Sequence, residues 1–249
     1  MEPESYRLLA GRQDTYWWHR ARRSLSRALL RRHGLKPGAR WLDLGCGPGA
    51  NLAMLDDMSP SQVVGVDLSP LALDLARRAQ PAAKLVRADV NAPQPFLDRS
   101  FDLVTIYNVL YHRWVESELA VLREVRRVLA PGGLLLLTEP AFPALARGLD
   151  VKVMTRRRYV EREFDDLFAQ AGLRPLFGSY FTSFGYPLLL AVKKFGQPHA
   201  QQEGVDTRRL SPLTNSALLA AATIESVAIR CGLRMPFGTT LMKIARRLD

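Results

Sequence analysis

Residues 41–52 read Trp41-Leu42-Asp43-Leu44-Gly45-Cys46-Gly47-Pro48-Gly49-Ala50-Asn51-Leu52, and how they are read decides the fold. A short apolar run carries an acidic residue, three glycines follow at alternate positions, and helix-compatible residues take over. That succession predicts a strand, a tight turn and a helix start. Glycines in such a turn adopt angles that side chains forbid and let a ligand approach closely, with backbone N–H groups set against it. Glycines at this spacing also mark ordinary turns, so the neighbouring sequence must choose between the two.

Outward from the turn the pattern repeats. Gln62-Val63-Val64-Gly65-Val66-Asp67 predicts a second buried strand ending in an acid, and Asp67 follows Gly49 by 18 residues. That is near the spacing at which a carboxylate accepts from both hydroxyls of a ribose. Ala83 to Asp89 predicts a third strand, again ending in Asp, and Phe101 to Asn108 a fourth. Pro131-Gly132-Gly133 introduces a fifth, Leu134 to Thr138. Each polar group falls at the C-terminal end of its strand, the edge of an open parallel sheet where ligands sit.

With these motifs in order, the segment from about Trp41 to Glu139 resembles the class I S-adenosylmethionine-dependent methyltransferases. The resemblance rests on Asp43-Leu44-Gly45-Cys46-Gly47-Pro48-Gly49, Gly65-Val66-Asp67-Leu68-Ser69-Pro70, Ala88-Asp89-Val90, Phe101-Asp102-Leu103-Val104 and Arg127-Val128-Leu129-Ala130-Pro131-Gly132-Gly133. A nicotinamide dehydrogenase would show Gly-x-Gly-x-x-Gly, whereas here the third glycine comes one position early. The resemblance implies an α/β, Rossmann-like, doubly wound, mostly parallel seven-stranded sheet with an N-terminal helix and helical C-terminal additions. It implies S-adenosyl-L-methionine as cofactor, with Asp43, Gly45, Cys46, Gly47, Asn51, Asp67, Leu68, Asp89, Val90 and Asn108 around it. In that arrangement the glycine turn holds the methionine portion, Asp67 the ribose, and Leu68 lies on the adenine. Asp89 and Val90 meet the adenine edge, and Asn108 faces the reacting methyl.

The chain of 249 residues can hold one large domain with appendages, and 47% of its residues are hydrophobic, a globular composition. No apolar run approaches the roughly 18 residues that span a bilayer. The start, Met1-Glu2-Pro3-Glu4-Ser5, lacks a secretory pattern. Two cysteines, Cys46 and Cys231, make no disulfide framework, and a cytoplasmic location is expected. The formal net charge of +11 is uneven: ten Lys/Arg against three Asp/Glu in residues 1–40, ten against 13 in 41–150, and 15 against eight in 151–249. A mildly acidic centre suits a sulfonium. Basic flanks suit an anionic partner such as a lipid surface or nucleic acid, or are simply solvated arginine faces.

Residues 5–33 predict one amphipathic helix, and residues 1–36 a helical cover. In Tyr16-Trp17-Trp18-His19-Arg20-Ala21-Arg22-Arg23, two adjacent tryptophans cannot face the same way. One is expected on the core and the other at the cofactor or substrate mouth, with an arginine available to the methionine carboxylate. Residues 69–79, with Ser69 as N-cap and Pro70 first, and residues 115–129 predict helices. The core is expected over 37–195; the resemblance implies that it closes on an antiparallel pair of strands, and Leu173 to Phe181 reads as one strand. Residues 196–249 are expected as a helical extension. Phe184 to Lys194, an apolar run ending in two lysines, reads as an interfacial segment at a membrane surface.

Methyl transfer from a sulfonium is an in-line displacement, so alignment in a water-poor pocket is the main task, and a base is needed only for an acceptor that must lose a proton. His112 is the candidate base on its ordinary pKa, with Tyr111 and His19 behind it; packing at a helix start is its alternative role. Asn108-Val109-Leu110-Tyr111 echoes an Asn-Pro-Pro-Tyr motif of amine methylation on bases but lacks both prolines, so a nucleic-acid substrate is not expected. A Glu-x-x-Glu-His metal motif would need carboxylates where Asn108 and Tyr111 stand, so no metal is expected. Trp18, His19, Arg157 and Tyr159 are candidate substrate contacts. The expected acceptor is a small hydrophobic molecule. An RNA methyltransferase using the basic flanks and a non-catalytic cofactor-binding regulator are the alternatives.

Overall fold

The computed structural model describes residues 3–146, 148–195 and 210–249. Seven strands form one sheet: β1 (Arg40–Leu44), β2 (Gln62–Asp67), β3 (Lys84–Arg87), β4 (Phe101–Tyr107), β5 (Leu129–Pro140), β6 (Leu173–Phe181) and β7 (Thr240–Arg247). Their order is β3-β2-β1-β4-β5-β7-β6, parallel from β3 to β5, with β7 antiparallel to both neighbours. The order reverses between β1 and β4, which opens a crevice at the strand ends, where the glycine turn and Asn108 lie.

The helices are α1 (Pro3–Ala10), α2 (Trp17–Arg32), α3 (Pro70–Ala79), α4 (Glu118–Val128), α5 (Gly148–Lys152), α6 (Glu161–Ala171), α7 (Gly185–Phe195) and α8 (Pro212–Arg230). Alternation along the strands builds a core on each face. Leu42, Leu44, Val104, Ile106, Leu135 and Leu137 pack in one cluster with α4 and α6. Trp41, Leu103, Leu134, Leu136, Met242 and Ile244 pack in the other with α2 and α8. Successive side chains point to opposite faces of the sheet, so a continuous apolar run on a central strand requires two covered faces, which right-handed crossovers supply.

Local chemistry sets the ends. Ser69 accepts from the Ala72 N–H and Ser117 from the Ala120 N–H, capping α3 and α4. Gly172 ends α6 at φ +73°.

Three expectations are corrected. The helix expected over 5–33 breaks at 11–16, where Asn215 of α8 accepts the Trp17 N–H and donates to the Thr15 carbonyl, so α2 starts on a long-range partner. No α-helix follows the glycine turn: residues 50–55 are turns leading to a single 3-10 turn, Asp56–Met58. The segment after 195 is not wholly helical, because β7 enters the sheet between β5 and β6, so the sheet is completed from beyond the boundary drawn there. The Gln197–Arg209 linker lies outside the described residues.

Candidate active site

The crevice holds a cavity of about 620 Å³, its wall more apolar than polar, bounded by the glycine turn, the ends of β2 and β4, and the N-terminal helices. Gly45, Cys46, Gly47, Asn51, Asp67, Leu68, Asp89, Val90 and Asn108 all line it. Asp43 does not. Its side chain is fully buried, its Oδ1 accepts from Thr105 at 2.6 Å, and Thr105 accepts from Trp41 at 2.8 Å. Burial pushes the Asp43 carboxyl up to about 7. Asp43 therefore ties β1 to Thr105 of β4 and is absent from the cavity wall.

The turn differs from the expectation of free donors. Gly45 and Cys46 both donate to the Val66 carbonyl at 2.8 Å, Gly49 donates to the Cys46 carbonyl, and Gly47 donates to Asp67 at 2.9 Å. What the turn offers a ligand is close approach and carbonyl oxygen. Gly45 sits at φ +75° with a would-be Cβ 2.3 Å from Val109, whereas Gly47, at φ +54°, has nothing within 4 Å of that position. A cradle with open space at Gly47 and acceptor oxygens around it fits the ammonium end of a methionine.

Asp67 is buried. Its Oδ2 takes the Gly47 N–H and its Oδ1 the Ser69 N–H, each at 2.9 Å, which fixes the carboxylate at the cavity. A carboxylate oxygen has lone pairs beyond one bond, so both can also accept from a vicinal diol. Asp89 is oriented the same way, its Oδ1 accepting from the backbone and side chain of Asn91 at 2.9 Å. Leu68 is half exposed at the cavity wall. Asn108, at φ +55°, donates its N–H to the Thr138 carbonyl and turns the chain where β4 enters the cavity.

The N-terminal helices supply much of the remaining wall. Trp17 is buried against Phe184, while Trp18 lines the cavity and its Nε1 donates to Thr240 at 3.3 Å. Arg22 is buried, its guanidinium lying 4.5 Å from the Trp18 ring centre and 4.6 Å from that of Tyr107, with Nη2 donating to Asn51 at 3.3 Å. A fixed, buried cation beside the glycine turn suits a carboxylate. Gln13 and His19 also line the cavity; both are buried, and Gln13 Oε1 and His19 Nδ1 lack hydrogen-bond partners. Burial first, then Arg22 and Arg23, holds His19 well below its ordinary pKa, so it is neutral.

His112 and Tyr111 line the cavity as expected, but His112 is not poised near neutrality. Burial lowers it to about 3, and Nδ1 pairs with the Val153 carbonyl at 3.1 Å. A carbonyl only accepts, so Nδ1 carries the proton and Nε2 is the acceptor. The Trp114 ring stacks on it and the Tyr111 ring lies against it at a 33° tilt, each 3.9 Å away between centres. Such an imidazole can accept a hydrogen bond yet is too weak a base to hold a proton at pH 7.

Arg157 and Tyr159 lie outside the cavity. Tyr159 is fully buried, its hydroxyl facing the Leu110 carbonyl and Glu118 at 2.9 Å. Arg157 covers the Tyr159 ring at 4.7 Å and pairs with Glu163 at 2.7 Å. Both hold α6 against the 110–118 segment. Tyr6, Gln13, Trp114 and Val153 line the cavity without a motif of their own. Tyr6 does so from α1, close to Asp67 and Ser69. Among the described residues no group of three His, Cys, Asp or Glu could hold a metal ion.

A family profile described as a methyltransferase domain matches residues 42–137. The malonyl-[acyl-carrier protein] O-methyltransferase of Enterobacter lignolyticus is 34% identical over 194 residues, covering 74% of this chain and 74% of that protein. The demethylmenaquinone methyltransferase of Thermus thermophilus is 38% identical over 157 residues, covering 61% and 66%. Several other curated relatives are matched over less than half their length. An S-adenosylmethionine-dependent methyltransferase from Mesorhizobium loti superposes with a TM-score of 0.59 at 20% identity, covering 88% of this chain and 96% of that one.

Proposed function

The chain belongs to the S-adenosylmethionine-dependent methyltransferases, and from that premise we propose that it transfers a methyl group to a small hydrophobic acceptor by in-line displacement. The observation that carries the reading is the cavity itself. One continuous, mainly apolar space joins the glycine turn and Asp67 to Asn108, His19 and His112. The donor's sulfonium reacts without a proton leaving the donor, so the chain's part is to align and to exclude water. Gly45 to Gly47, Asp67 and Arg22 would hold the methionine and ribose portions. Trp18, Trp114 and Val153 would exclude water. Gln13 Oε1 and His19 would read a hydrogen-bonding group on the acceptor, because buried polar atoms without partners call for one. The relative named for demethylmenaquinone, a hydrophobic acceptor, supports this class.

A peripheral contact with the cytoplasmic membrane face belongs to the same proposal. None of the α7 side chains is fully buried, and Leu188 and Phe195 are exposed near Lys194. Helix α8 is long and apolar enough to cross a membrane by length and composition alone, yet it packs Ala222, Glu225, Ser226 and Ile229 inward.

Incubation with methyl-labelled donor and lipid, quinone and RNA extracts tests the function. Label in a small lipophilic product supports it, and label in RNA alone overturns it. Flotation with vesicles containing phosphatidylglycerol tests the membrane arm, which requires Leu188→Glu/Phe195→Glu to abolish flotation.

A further inference from the structure

Helix α2 presents different side chains to two concavities. Trp18, His19 and Arg22 line the cofactor cavity, whereas Arg20, Arg23 and Arg27 line a second depression of about 290 Å³. The i, i+3, i+7 spacing sets those three arginines on one helix face. Ser24 lies among them, and Ala50, Ala53 and Met54, from the segment just after the third glycine, line the facing side with Asp14 at the edge. Asn51, between these alanines, lines the cofactor cavity instead.

The charge in this depression is under-compensated. Three guanidiniums face one carboxylate, Asp14, which stands 3.4 Å from Arg23 with its side chain 81% exposed. The Arg23 side chain is 16% exposed, and its Nη1 is buried with no hydrogen-bond partner. Arg27 has only a share of Asp57, at 3.4 Å, while Arg31 holds the same oxygen at 2.7 Å. Arg20 makes no ion pair among the described residues. A buried N–H without an acceptor carries the full desolvation cost of the group, and the three guanidinium forks carry more donors than Asp14 and a shared Asp57 can accept.

We propose that this depression is a binding site for the phosphate group of a small molecule, held by Arg20, Arg23 and Arg27 with Ser24 donating. A phosphate carries a charge near −2 at neutral pH and several acceptor oxygens, and planar guanidiniums meet them in pairs. A carboxylate has one charge and two oxygens, too few for three arginines. No lining residue is aromatic, so the base-stacking platform that single-stranded nucleic acid uses is missing.

The test uses the full chain without cofactor, with inorganic phosphate and glycerol 3-phosphate as probes and sodium chloride at matched ionic strength as the control. Calorimetry and thermal melting are compared between wild type and Arg20→Ala/Arg27→Ala, two positions outside the cofactor cavity. The expected result is saturable phosphate binding that raises the melting temperature beyond the chloride control and weakens at least tenfold in the variant. Tighter binding of glycerol 3-phosphate identifies an esterified ligand, and tighter binding of inorganic phosphate identifies the free ion. Equal binding by wild type and variant, or a melting shift that chloride reproduces, overturns the site. Displacement of bound phosphate by a short single-stranded RNA at lower concentration reassigns the patch to polynucleotide and also overturns it. Unchanged S-adenosylhomocysteine affinity in the variant shows that it is folded. Absence of that affinity in wild type would bear on the methyltransferase reading alone.

Discussion

Replacing Asp67 by Asn removes one negative charge while keeping the side-chain shape, and the structure gives its cost in two places. The carboxylate now accepts from Gly47 and from Ser69 through different oxygens. An amide has one oxygen, so its NH2 must face one of those N–H groups, losing a charge-assisted bond and opposing two donors. A buried bond lost this way costs about 1–3 kcal/mol. For a chain of this size each kcal/mol lowers the melting temperature by roughly 2–4 °C. The second cost falls on the ligand. A ribose hydroxyl bonded to a carboxylate contributes about 1.5–3 kcal/mol, which converts to roughly 10- to 150-fold in affinity. Titration calorimetry with S-adenosylhomocysteine, at a temperature where both proteins are folded, reads the second cost, and thermal melting reads the first. Affinity of Asp67→Asn within threefold of wild type would refute the placement of the ribose at this carboxylate.

Other expectations follow from the same geometry. Gly45→Ala puts a methyl 2.3 Å from Val109 at φ +75°, whereas Gly132→Ala meets nothing within 4 Å at φ +78°. Both carry left-handed strain of roughly 1–2 kcal/mol, so in urea denaturation Gly45→Ala must be the less stable by a further 1–3 kcal/mol or so; equal losses would contradict the packing. Lys243, 2% exposed, pairs with Glu161 at 3.1 Å and Asp165 at 2.6 Å, whose side chains are 31% and 42% exposed. Because both carboxylates can turn to water, Lys243→Met should cost under about 2 kcal/mol in the same assay, short of the 3–5 of a broken buried pair. The imidazole of His112 should show no titration between pH 5 and 8 in nitrogen-detected NMR, since burial lowers it to about 3. Glu139, fully buried, takes the N–H groups of Val109, Leu110 and Tyr111, and burial raises it to about 8. A carboxyl raised in the folded state is favoured protonated, so its contribution is lost as pH rises from about 4.5 toward 8. The stability of wild type relative to Glu139→Gln should therefore fall between pH 5 and pH 8, and a rise would show that the three N–H groups outweigh burial.

Much of the sheet was legible because local and global signals agree from β1 to β5. Apolar runs of strand length end in polar residues, and the only open question at each end was which atoms they meet. The position of Asp67 at the cavity is legible from its spacing and its strand end. The place of Asp43 is not legible, because a motif acid looks the same whether it lines a cavity or faces Thr105, and only packing distinguishes them. The spent N–H groups of the glycine turn were equally invisible, since Val66 accepts two of them from the neighbouring strand. Arg157 and Tyr159 carry the residue types of a binding site, yet Glu118 and Glu163 claim them. Strand β7 was hidden by its own charges. Lys243, Arg246 and Arg247 argue against a central strand until Glu161 and Asp165 of α6, the His33 carbonyl and the Arg126 and Arg127 carbonyls at the end of α4 supply their partners. His112 looked like a base because an unperturbed histidine titrates near neutrality, and burial overturns that default.

The most direct measurement is calorimetric titration of the full folded chain with S-adenosylhomocysteine, repeated in the presence of S-adenosylmethionine. Saturable one-to-one binding that the methyl donor displaces is the predicted result. No binding heat from either compound at several temperatures, on protein with a cooperative melting transition, would contradict the assignment of the cavity.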